Sequence, residues 1–204
     1  ARIPSLEGLC VGENFRFGKG RTGDSEYLKK YGIEVGLSVE VVGSELYSEL
    51  PVSSSRIREA LSKGEIEDVN KMLGWKYTIS SKVLKGKGMG REIGFPTINL
   101  PWSPDSKPAY GVYIGRVGCR DDQKEKFAIA NYGLRPTVEE GVTQPLLEVH
   151  LLDPIDQGFG MMGETLYMSL EAFLRKEQKF DSVEDLRSQI KRDIISAEGF
   201  RNKI

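Results

Sequence analysis

The apolar pattern of the chain changes at Gly74, and the pattern that follows restricts the fold most strongly. Six short β-type runs come after it, separated by loops rich in glycine, proline and aspartate. The runs cover residues 77–84, 97–100, 111–118, 127–132, 146–152 and 165–173. Short strands at this spacing, with turn signals between them, predict an antiparallel barrel or sandwich.

Residues 182–197 predict a helix after the strands, because their apolar side chains recur at helical spacing along one stripe. The stripe consists of Val183, Leu186, Ile190, Ile194 and Ile195. Asp181 or Ser182 is expected to cap the first turn of this helix.

Before Gly74 the chain alternates between strand and helix patterns, which predicts a parallel sheet. Strands are expected at residues 8–12 and 37–43, and helices at 25–31, 56–62 and 66–73. The run at 8–12 is typical of a buried parallel strand. Gly32 is expected to end the first helix, and three serines are expected to open the second. We therefore predict an α/β domain over residues 1–74 and a mainly β domain over residues 75–204.

Composition argues against several classes of function. The 204 residues carry a net charge of −1, so no strong attraction to nucleic acid or to a membrane surface is expected. No apolar run approaches the length of a membrane span. Cys10 and Cys119 lie far apart without metal-ligand spacing, which favours two reduced thiols in a cytoplasmic protein. The sequence does not indicate an oligomeric state.

Residues 83–100 carry the densest chemical signal in the chain. Three glycines spaced by two have basic residues among them: Gly86, Gly88 and Gly90, with Lys85, Lys87 and Arg91. Such glycines let the backbone pass close to a phosphate and turn its N–H groups inward, while the basic side chains add charge for an anion. The pattern is neither a Walker A loop nor a Rossmann fingerprint, and a flexible glycine hairpin would also produce it.

Thr97 and Asn99 follow this loop at the start of a predicted strand. Because they are two residues apart on an extended segment, both side chains point to one face. A hydroxyl and an amide oxygen together form a hard-cation site of the kind that Mg²⁺ uses beside phosphate oxygens.

Glu148 is a carboxylate inside a mostly apolar strand, where Leu147 and Val149 share one face and Glu148 shares the other with His150. A buried carboxylate is costly, so Glu148 is either exposed or used chemically. The strand pattern alone favours an outward-facing, solvated glutamate. A lone histidine more often packs and hydrogen-bonds than catalyses, so His150 is kept out of the catalytic set.

Several segments, in order, resemble the bacterial bifunctional riboflavin kinase/FAD synthetases. Residues 83–100 resemble the nucleotide-binding flap and PTAN-type motif of riboflavin kinases. Downstream matches are YGVYIGRV at 110–117, NYGLRPTV at 131–138, LLEVHLLD at 146–153 and FLRKEQKFDSVEDL at 173–186. Upstream, VGENFRFGKGRTGD at 11–24 and PVSSSRIREAL at 51–61 resemble the adenylyltransferase half. The resemblance covers nearly the whole chain.

The resemblance implies a six-stranded, Greek-key-like antiparallel barrel with a C-terminal helix, preceded by part of an α/β nucleotidyltransferase domain. It implies an ATP-dependent riboflavin kinase that makes FMN and ADP with a divalent metal such as Mg²⁺. Glu148 would be the base that takes the proton of the riboflavin 5′-hydroxyl. Arg175 matches a flavin-contacting arginine, although a surface arginine ahead of a helix would look the same.

In the front half, the resemblance places Asn14 near the substrates and Ser54, Ser55 and Arg58 near ATP phosphates. From the residues alone, the serines are an N-cap cluster. The histidine-containing G-x-F-D-G-x-H-x-G-H motif of this family is absent, and the only histidine lies in the other half. We therefore expect residues 1–74 to be the tail of a larger domain, and the chain to make FMN but not FAD.

Met162 stands where the family usually has a tyrosine. If that tyrosine stacks on the nucleotide base, methionine would pack more adaptably and less specifically, which would alter nucleotide affinity. A non-catalytic flavin- or nucleotide-binding regulator on the same barrel is the alternative function, and this loop is the feature in its favour.

Overall fold

The computed structural model describes residues 6–86, 88–119, 125–136, 143–156 and 158–203. By contacts the chain divides into two compact units, Ala1–Ser53 and Ser54–Ile204. This contact boundary precedes the predicted domain boundary at Gly74, because two helices ahead of Gly74 pack on the second unit. The domain boundary at Gly74 stays a prediction.

The first unit is a small α/β arrangement. Its elements are β1 (Gly8–Gly12), β2 (Arg16–Phe17), β3 (Gly23–Asp24), α1 (Ser25–Val35), β4 (Ser38–Val42), β5 (Leu46–Tyr47) and β6 (Leu50–Pro51). β1 and β4 pair in parallel, which confirms the predicted parallel strands. β1 is not buried as expected, since its residues alternate between exposed and half-buried.

The predicted end of the first helix at Gly32 is wrong. α1 continues to Val35 and ends at Gly36, which has the left-handed conformation with φ 69°. A Cβ on Gly32 would lie 2.6 Å from Cγ2 of Val39. A glycine at this position therefore allows α1 to pack closely against β4. This packing outweighs the low helix propensity of glycine.

The second unit is a six-stranded barrel with helices around it. Its elements are α2 (Ser54–Lys63), α3 (Ile66–Leu73), β7 (Thr78–Lys82), α4 (Met89–Glu92), β8 (Ile98–Pro101), β9 (Gly111–Cys119), β10 (Lys126–Pro136), β11 (Thr143–Leu151), β12 (Thr165–Lys176) and α5 (Val183–Arg201). The strand order is β7-β12-β9-β10-β11-β8, and every pair is antiparallel. The predicted barrel with its six strands and C-terminal helix is confirmed.

The two ends of this sheet meet at a narrow seam. Leu84, just beyond β7, bridges to Asn99 of β8, and its N–H donates to the Asn99 carbonyl at 3.0 Å. The Ser81 hydroxyl adds a bond of 2.6 Å to the Pro101 carbonyl. These contacts nearly close the barrel.

Alternation along the strands separates an inner core from an outer face. The fully buried inner residues include Ile79, Leu100, Tyr113, Leu147, Val149 and Leu170. On the opposite face, Val112, Ile114, Ile129 and Ala172 pack with Ala197 of α5. Residues between the inner positions, Glu148 among them, therefore lie on the outer face of the barrel.

α2 and α3 are joined to the rest of the second unit by hydrogen bonds to backbone groups. The Asn70 amide donates to the Leu170 carbonyl at 2.8 Å and accepts from the Tyr77 N–H at 2.7 Å. The Ala109 N–H donates to the Leu61 carbonyl at 3.0 Å. One asparagine thus ties α3 to β12 and to Tyr77, just before β7, because its amide group offers a donor and an acceptor.

The cap of α5 is as expected, but its predicted apolar stripe is only partly correct. The Ser182 hydroxyl accepts from the Asp185 N–H at 3.0 Å. Val183 and Ile195 are exposed, whereas the buried residues of the helix are Asp193 and Ala197. Asp193 is buried there because it has a charged partner on the barrel, Arg175.

Candidate functional site

Five residues on five neighbouring strands form a row across the outer face of the barrel. Asn99 of β8 pairs with Glu148 of β11, and Glu148 pairs with Asn131 of β10. Asn131 pairs with Val112 of β9, and Val112 pairs with Arg175 of β12. Register partners share a face, and strands are about 4.8 Å apart, so the row spans roughly 19 Å. All five residues line one cavity of about 720 Å³.

The glycine loop, which is the segment formed by residues 84–86 and 88–94, covers one end of this cavity. Gly86, Gly88 and Gly90 line it together with Thr97 and Asn99, so the structure brings these sequence-predicted residues together. A Cβ on Gly86 would overlap the amide nitrogen of Asn99. A Cβ on Gly90 would lie 3.2 Å from the Thr97 hydroxyl oxygen. The loop therefore lies directly against both residues of the predicted metal pair.

The basic residues of the loop separate. Lys85 lines the cavity, whereas Arg91 is exposed in α4 and is not among the described residues that line it. Lys87 lies outside the described residues. A phosphate contact of Arg91 stays a prediction.

Glu148 is half-buried at the middle of the cavity floor, between Asn99 and Asn131. Its neighbours Leu147 and Val149 are fully buried in the barrel core, which confirms the predicted division of β11 into two faces. The structure therefore directs the Glu148 carboxylate into the cavity. Its catalytic role stays a prediction.

His150 contacts the segment that precedes Thr97 through both a polar contact and a ring contact. Its Nδ1 lies 2.9 Å from the Pro96 carbonyl, and its ring meets the Phe95 ring edge-on at 5.6 Å between centroids. His150 therefore supports the backbone that leads into Thr97, and it also lines the cavity. Its exclusion from the catalytic set stays a prediction.

At the other end of the cavity, Arg175 is fixed by a carboxylate of α5. Its Nε donates to both oxygens of Asp193, at 2.9 and 3.0 Å, and its Nη2 donates to Oδ2 at 2.8 Å. Gln189 donates to Asp193 Oδ1 at 2.8 Å. The Arg175 guanidinium lies 5.9 Å from the centre of the Phe180 ring, which also lines the cavity.

Among the residues of this site that sequence reasoning missed are two polar ones, Asp193 and Asn131. Asp193 lies on the helical face of Ile190 and Ile194, and a carboxylate in an apolar stripe is a signal for a buried partner. Asn131 lies in a mostly apolar strand, FAIANYG, where an amide side chain is similarly unusual. Neither signal identifies the partner, because the partners lie on other elements.

α5 also contacts the glycine loop. Arg187 donates through Nε to the Ile93 carbonyl at 3.0 Å. Leu186 and Ile190, on the same helix, line the cavity. The first half of α5 therefore forms a wall of the cavity and is joined to the loop that covers the opposite end.

The predicted adenylyltransferase residues are divided between the two units. Asn14 lies in the first unit and donates to the Ser44 hydroxyl at 3.4 Å. Ser54 and Ser55 begin α2 in the second unit, and Arg58 Nε donates to the Ser106 hydroxyl at 3.3 Å. Ser54 and Arg58 line a second cavity of about 360 Å³. Their role in adenylyl transfer stays a prediction.

Met162 is 72% exposed and is not among the described residues that line the main cavity. The turn before it is held by Glu164, whose carboxylate accepts from the N–H groups of Gly160 and Met161 at 2.7 and 3.1 Å. The predicted effect of Met162 on nucleotide affinity stays a prediction.

Among the described residues, no three acidic, histidine or cysteine side chains come together as metal ligands. Both side-chain oxygen donors of the predicted metal pair, the Thr97 hydroxyl and the Asn99 amide, line the loop end of the cavity. This set fits Mg²⁺, which uses few protein oxygens and completes its shell with phosphate and water.

Of the helices that the structure describes, none is long and apolar enough to cross a membrane.

Comparison with known proteins finds relatives that match nearly all of this chain. The bifunctional riboflavin kinase/FMN adenylyltransferase of Escherichia coli strain K12 is 38% identical over 192 residues, which are 94% of this chain and 59% of the relative. The protein of the same name from Haemophilus influenzae is 36% identical over 95% of this chain and 61% of its own length. The chain thus spans about three fifths of the curated relatives that it matches.

A solved structure and two family models also match this chain. The crystal structure of a macrolide-efflux protein from Streptococcus pneumoniae matches with a TM-score of 0.75 and 30% identity, over 92% of this chain and 60% of that one. The FAD synthetase profile matches residues 4–56, and the riboflavin kinase profile matches residues 73–200. Since the latter match covers more than half of the sequence, the chain belongs to the riboflavin kinase family.

Proposed function

We propose that this chain is an ATP-dependent riboflavin kinase, which transfers the γ-phosphate of ATP to the 5′-hydroxyl of riboflavin and yields FMN and ADP. The observation that carries the proposal is the row across the barrel. It puts the Glu148 carboxylate between a glycine loop at one end of the cavity and Arg175 at the other. A phosphate donor and a ring-bearing acceptor can then approach the same carboxylate from two sides.

The loop end has the groups that phosphoryl transfer needs. Backbone N–H groups of a glycine loop and the Lys85 ammonium can hold phosphate oxygens. Thr97 and Asn99 would hold Mg²⁺, which neutralises charge that develops on the transferred group. Positioning and charge stabilisation account for most of the catalysis in this class of reaction.

Glu148 is suited to orient and deprotonate the acceptor. As the riboflavin 5′-oxygen forms its bond to the γ-phosphorus, the bond from phosphorus to the bridging oxygen of ADP breaks. The hydroxyl proton goes to the Glu148 carboxylate. A half-buried carboxylate on a rigid strand can accept that proton without reorganisation.

The opposite end of the cavity suits an isoalloxazine ring. Phe180, Leu186 and Ile190 give it an apolar lining beside Arg175. Arg175 lies three strand steps from Glu148, roughly 14 Å along the row. Riboflavin likewise carries its reactive hydroxyl at the end of a ribityl chain, away from its ring. The cavity volume of about 720 Å³ lies within the usual range for ligand sites.

The names of the relatives support FMN adenylylation as a second activity of the full-length protein. Cytoplasmic location stays a prediction. The alternative function, a non-catalytic regulator, would bind flavin or nucleotide in the same cavity. A carboxylate at the junction of the two ends favours catalysis, because a binder has no use for a base there.

The test is a turnover assay with riboflavin, ATP and Mg²⁺, with FMN and FAD separated by chromatography. Glu148→Gln is the matched variant, because it keeps the size of the side chain and removes the base. We expect FMN from the wild-type chain and a loss of about 10²–10⁴-fold in kcat for the variant, with riboflavin binding retained. Riboflavin binding without turnover in the wild-type chain would favour the regulator, and near-native turnover of Glu148→Gln would remove this residue from the mechanism.

A further inference from the structure

We propose that Asp193 is a positioning residue for the flavin, which holds the Arg175 guanidinium so that its flat face, rather than its hydrogen-bonding edge, meets the ring. This inference rests on the proposed function, since it takes the cavity to be the riboflavin site. It concerns how the ring is recognised, and it assigns a role to a residue of α5 that does not itself need to touch the substrate.

The first argument is the number of donors that Arg175 has already used. A guanidinium has five N–H groups. The Nε–H and one N–H of Nη2 point to Asp193, and one N–H of Nη1 donates to the Lys176 carbonyl at 3.1 Å. The edge formed by Nε and Nη2 is therefore turned toward α5. Stacking on the planar face needs none of these N–H groups.

The second argument is the burial of the pair. Asp193 is 3% exposed, although it carries a charge, and both partners line the cavity. A buried ion pair seldom adds stability over apolar residues of similar size, because desolvating two charges is costly. Stability alone is therefore a weak reason for this pair to lie in the wall of the cavity. Orientation of a planar cation is a better one.

The third argument is the support behind Asp193. Gln189, one turn earlier on α5, donates to Oδ1 and accepts from Arg192 at 2.7 Å. The carboxylate is thus fixed before any ligand binds. A side chain that is ordered in advance spares the entropy that binding would otherwise cost.

A second ion pair of α5 provides a control. It distinguishes positioning of Arg175 from simple attachment of the helix to the barrel. Asp153, after β11, pairs with Arg201 of α5 at 2.8 Å. Asp153 is not among the described residues that line the cavity. Asp153→Asn and Asp193→Asn therefore each remove one acidic partner of an α5 ion pair, but only Asp193 belongs to the cavity wall.

The experiment measures dissociation constants without ATP, from the quenching of flavin fluorescence, for riboflavin and for lumiflavin, which has the ring but no ribityl chain. We expect Asp193→Asn to weaken both ligands by about tenfold, and Gln189→Ala to weaken both by a few-fold. Asp153→Asn should bind both as the wild-type chain does. In steady-state assays, Asp193→Asn should raise KM for riboflavin and leave KM for ATP within about twofold.

Equal losses in Asp193→Asn and Asp153→Asn would show that the pair only fastens the helix, and would overturn the proposal. Unchanged lumiflavin binding in Asp193→Asn would also overturn it, because the ring would then not depend on the pair. If Asp193→Asn does not fold, as judged by thermal melting, Gln189→Ala decides, and unchanged binding of both ligands in that variant refutes the proposal. Failure of the proposed function gives a different result, which is riboflavin binding without FMN formation in the wild-type chain.

Discussion

Gly90→Ala tests whether the closeness of the glycine loop to Thr97 matters for activity. Gly90 lies in the short helix α4, and its carbonyl accepts from the Phe95 N–H at 2.7 Å. A Cβ added there would lie 2.5 Å from the Phe95 carbonyl oxygen and 3.2 Å from the Thr97 hydroxyl. Since an ordinary contact begins at 3.4 Å, the oxygen must move by about 0.9 Å, which is 3.4 minus 2.5.

The displaced group is backbone, so the shift is carried along the chain to Thr97, two residues further on. Misplacement by about 1 Å near a reaction centre can cost about 10²-fold in rate. We therefore expect Gly90→Ala to lower kcat/KM for ATP by about 10²-fold. Alanine is the better helix former by about 0.8–1 kcal/mol, which offsets part of the cost in stability. Activity should thus fall strongly, whereas the melting temperature should change little.

Gly94→Ala is the matched control in the same loop. Gly94 has φ 85°, so alanine there costs about 1–2 kcal/mol of backbone strain. Its nearest atom to an added Cβ is 4.0 Å away, on the Arg187 side chain, so no neighbour has to move. FMN formation is followed at varied ATP for both variants. Wild-type kcat/KM in Gly90→Ala, or an equal loss in Gly94→Ala, would refute the argument from displacement.

Three further predictions follow from the site and its surroundings. Thr97→Ala and Asn99→Ala should each raise the Mg²⁺ concentration for half-maximal activity by about tenfold or more, and unchanged titrations in both would place the metal elsewhere. Supplied with FMN, ATP and Mg²⁺ at high enzyme concentration, the 204-residue chain should form no FAD, because missing transition-state donors cost about 10²–10³-fold each; enzyme-dependent FAD on chromatography would contradict this. Partial burial raises the pKa of Asp153, but hydrogen bonds from the Phe127 N–H and Arg201 outweigh it, so that its pKa lies below the ordinary value. Asp153→Asn should therefore lower the free energy of unfolding by about 1–2 kcal/mol at neutral pH, and in urea titrations this difference should shrink as the pH falls below about 4; a difference independent of pH would refute the assignment.

The sequence predicts most of the barrel because its strands alternate regularly. In β11 the apolar residues Leu147 and Val149 lie on one side of Glu148, and the period of two places them in the core and Glu148 outside. The same local information fails at Gly32. A glycine in a helix pattern looks like an end, and only the approach of β4, which is not adjacent in sequence, explains why the helix continues.

The candidate site is only partly predictable for the same reason. The loop, the metal pair and Glu148 belong to short motifs, so their residue types indicate chemistry directly. Asn131 joins the site through strand register, and Asp193 joins it through α5, 18 residues beyond Arg175. The apolar pattern of α5 places Val183 and Ile195 in its stripe, but both are exposed, and the face that meets the barrel carries the buried Asp193 and Ala197.

The loop end of the cavity lies beside the seam of the barrel, so a ligand bound there can affect how firmly the barrel is closed. Asn99 contributes twice there, since its carbonyl closes the ring of strands through Leu84 while its side chain lies against Gly86. In the described residues the seam has one bridging residue pair and the hydrogen bond from Ser81 to Pro101, whereas each neighbouring strand pair in the sheet has four or more residue pairs. A ligand that immobilises Asn99 therefore strengthens the place where the ring of hydrogen bonds is weakest. In the proposed kinase, Mg²⁺–ATP would act as a structural crosslink between the first and last strands of the sheet, and the exchange of the Leu84 amide proton would report its arrival.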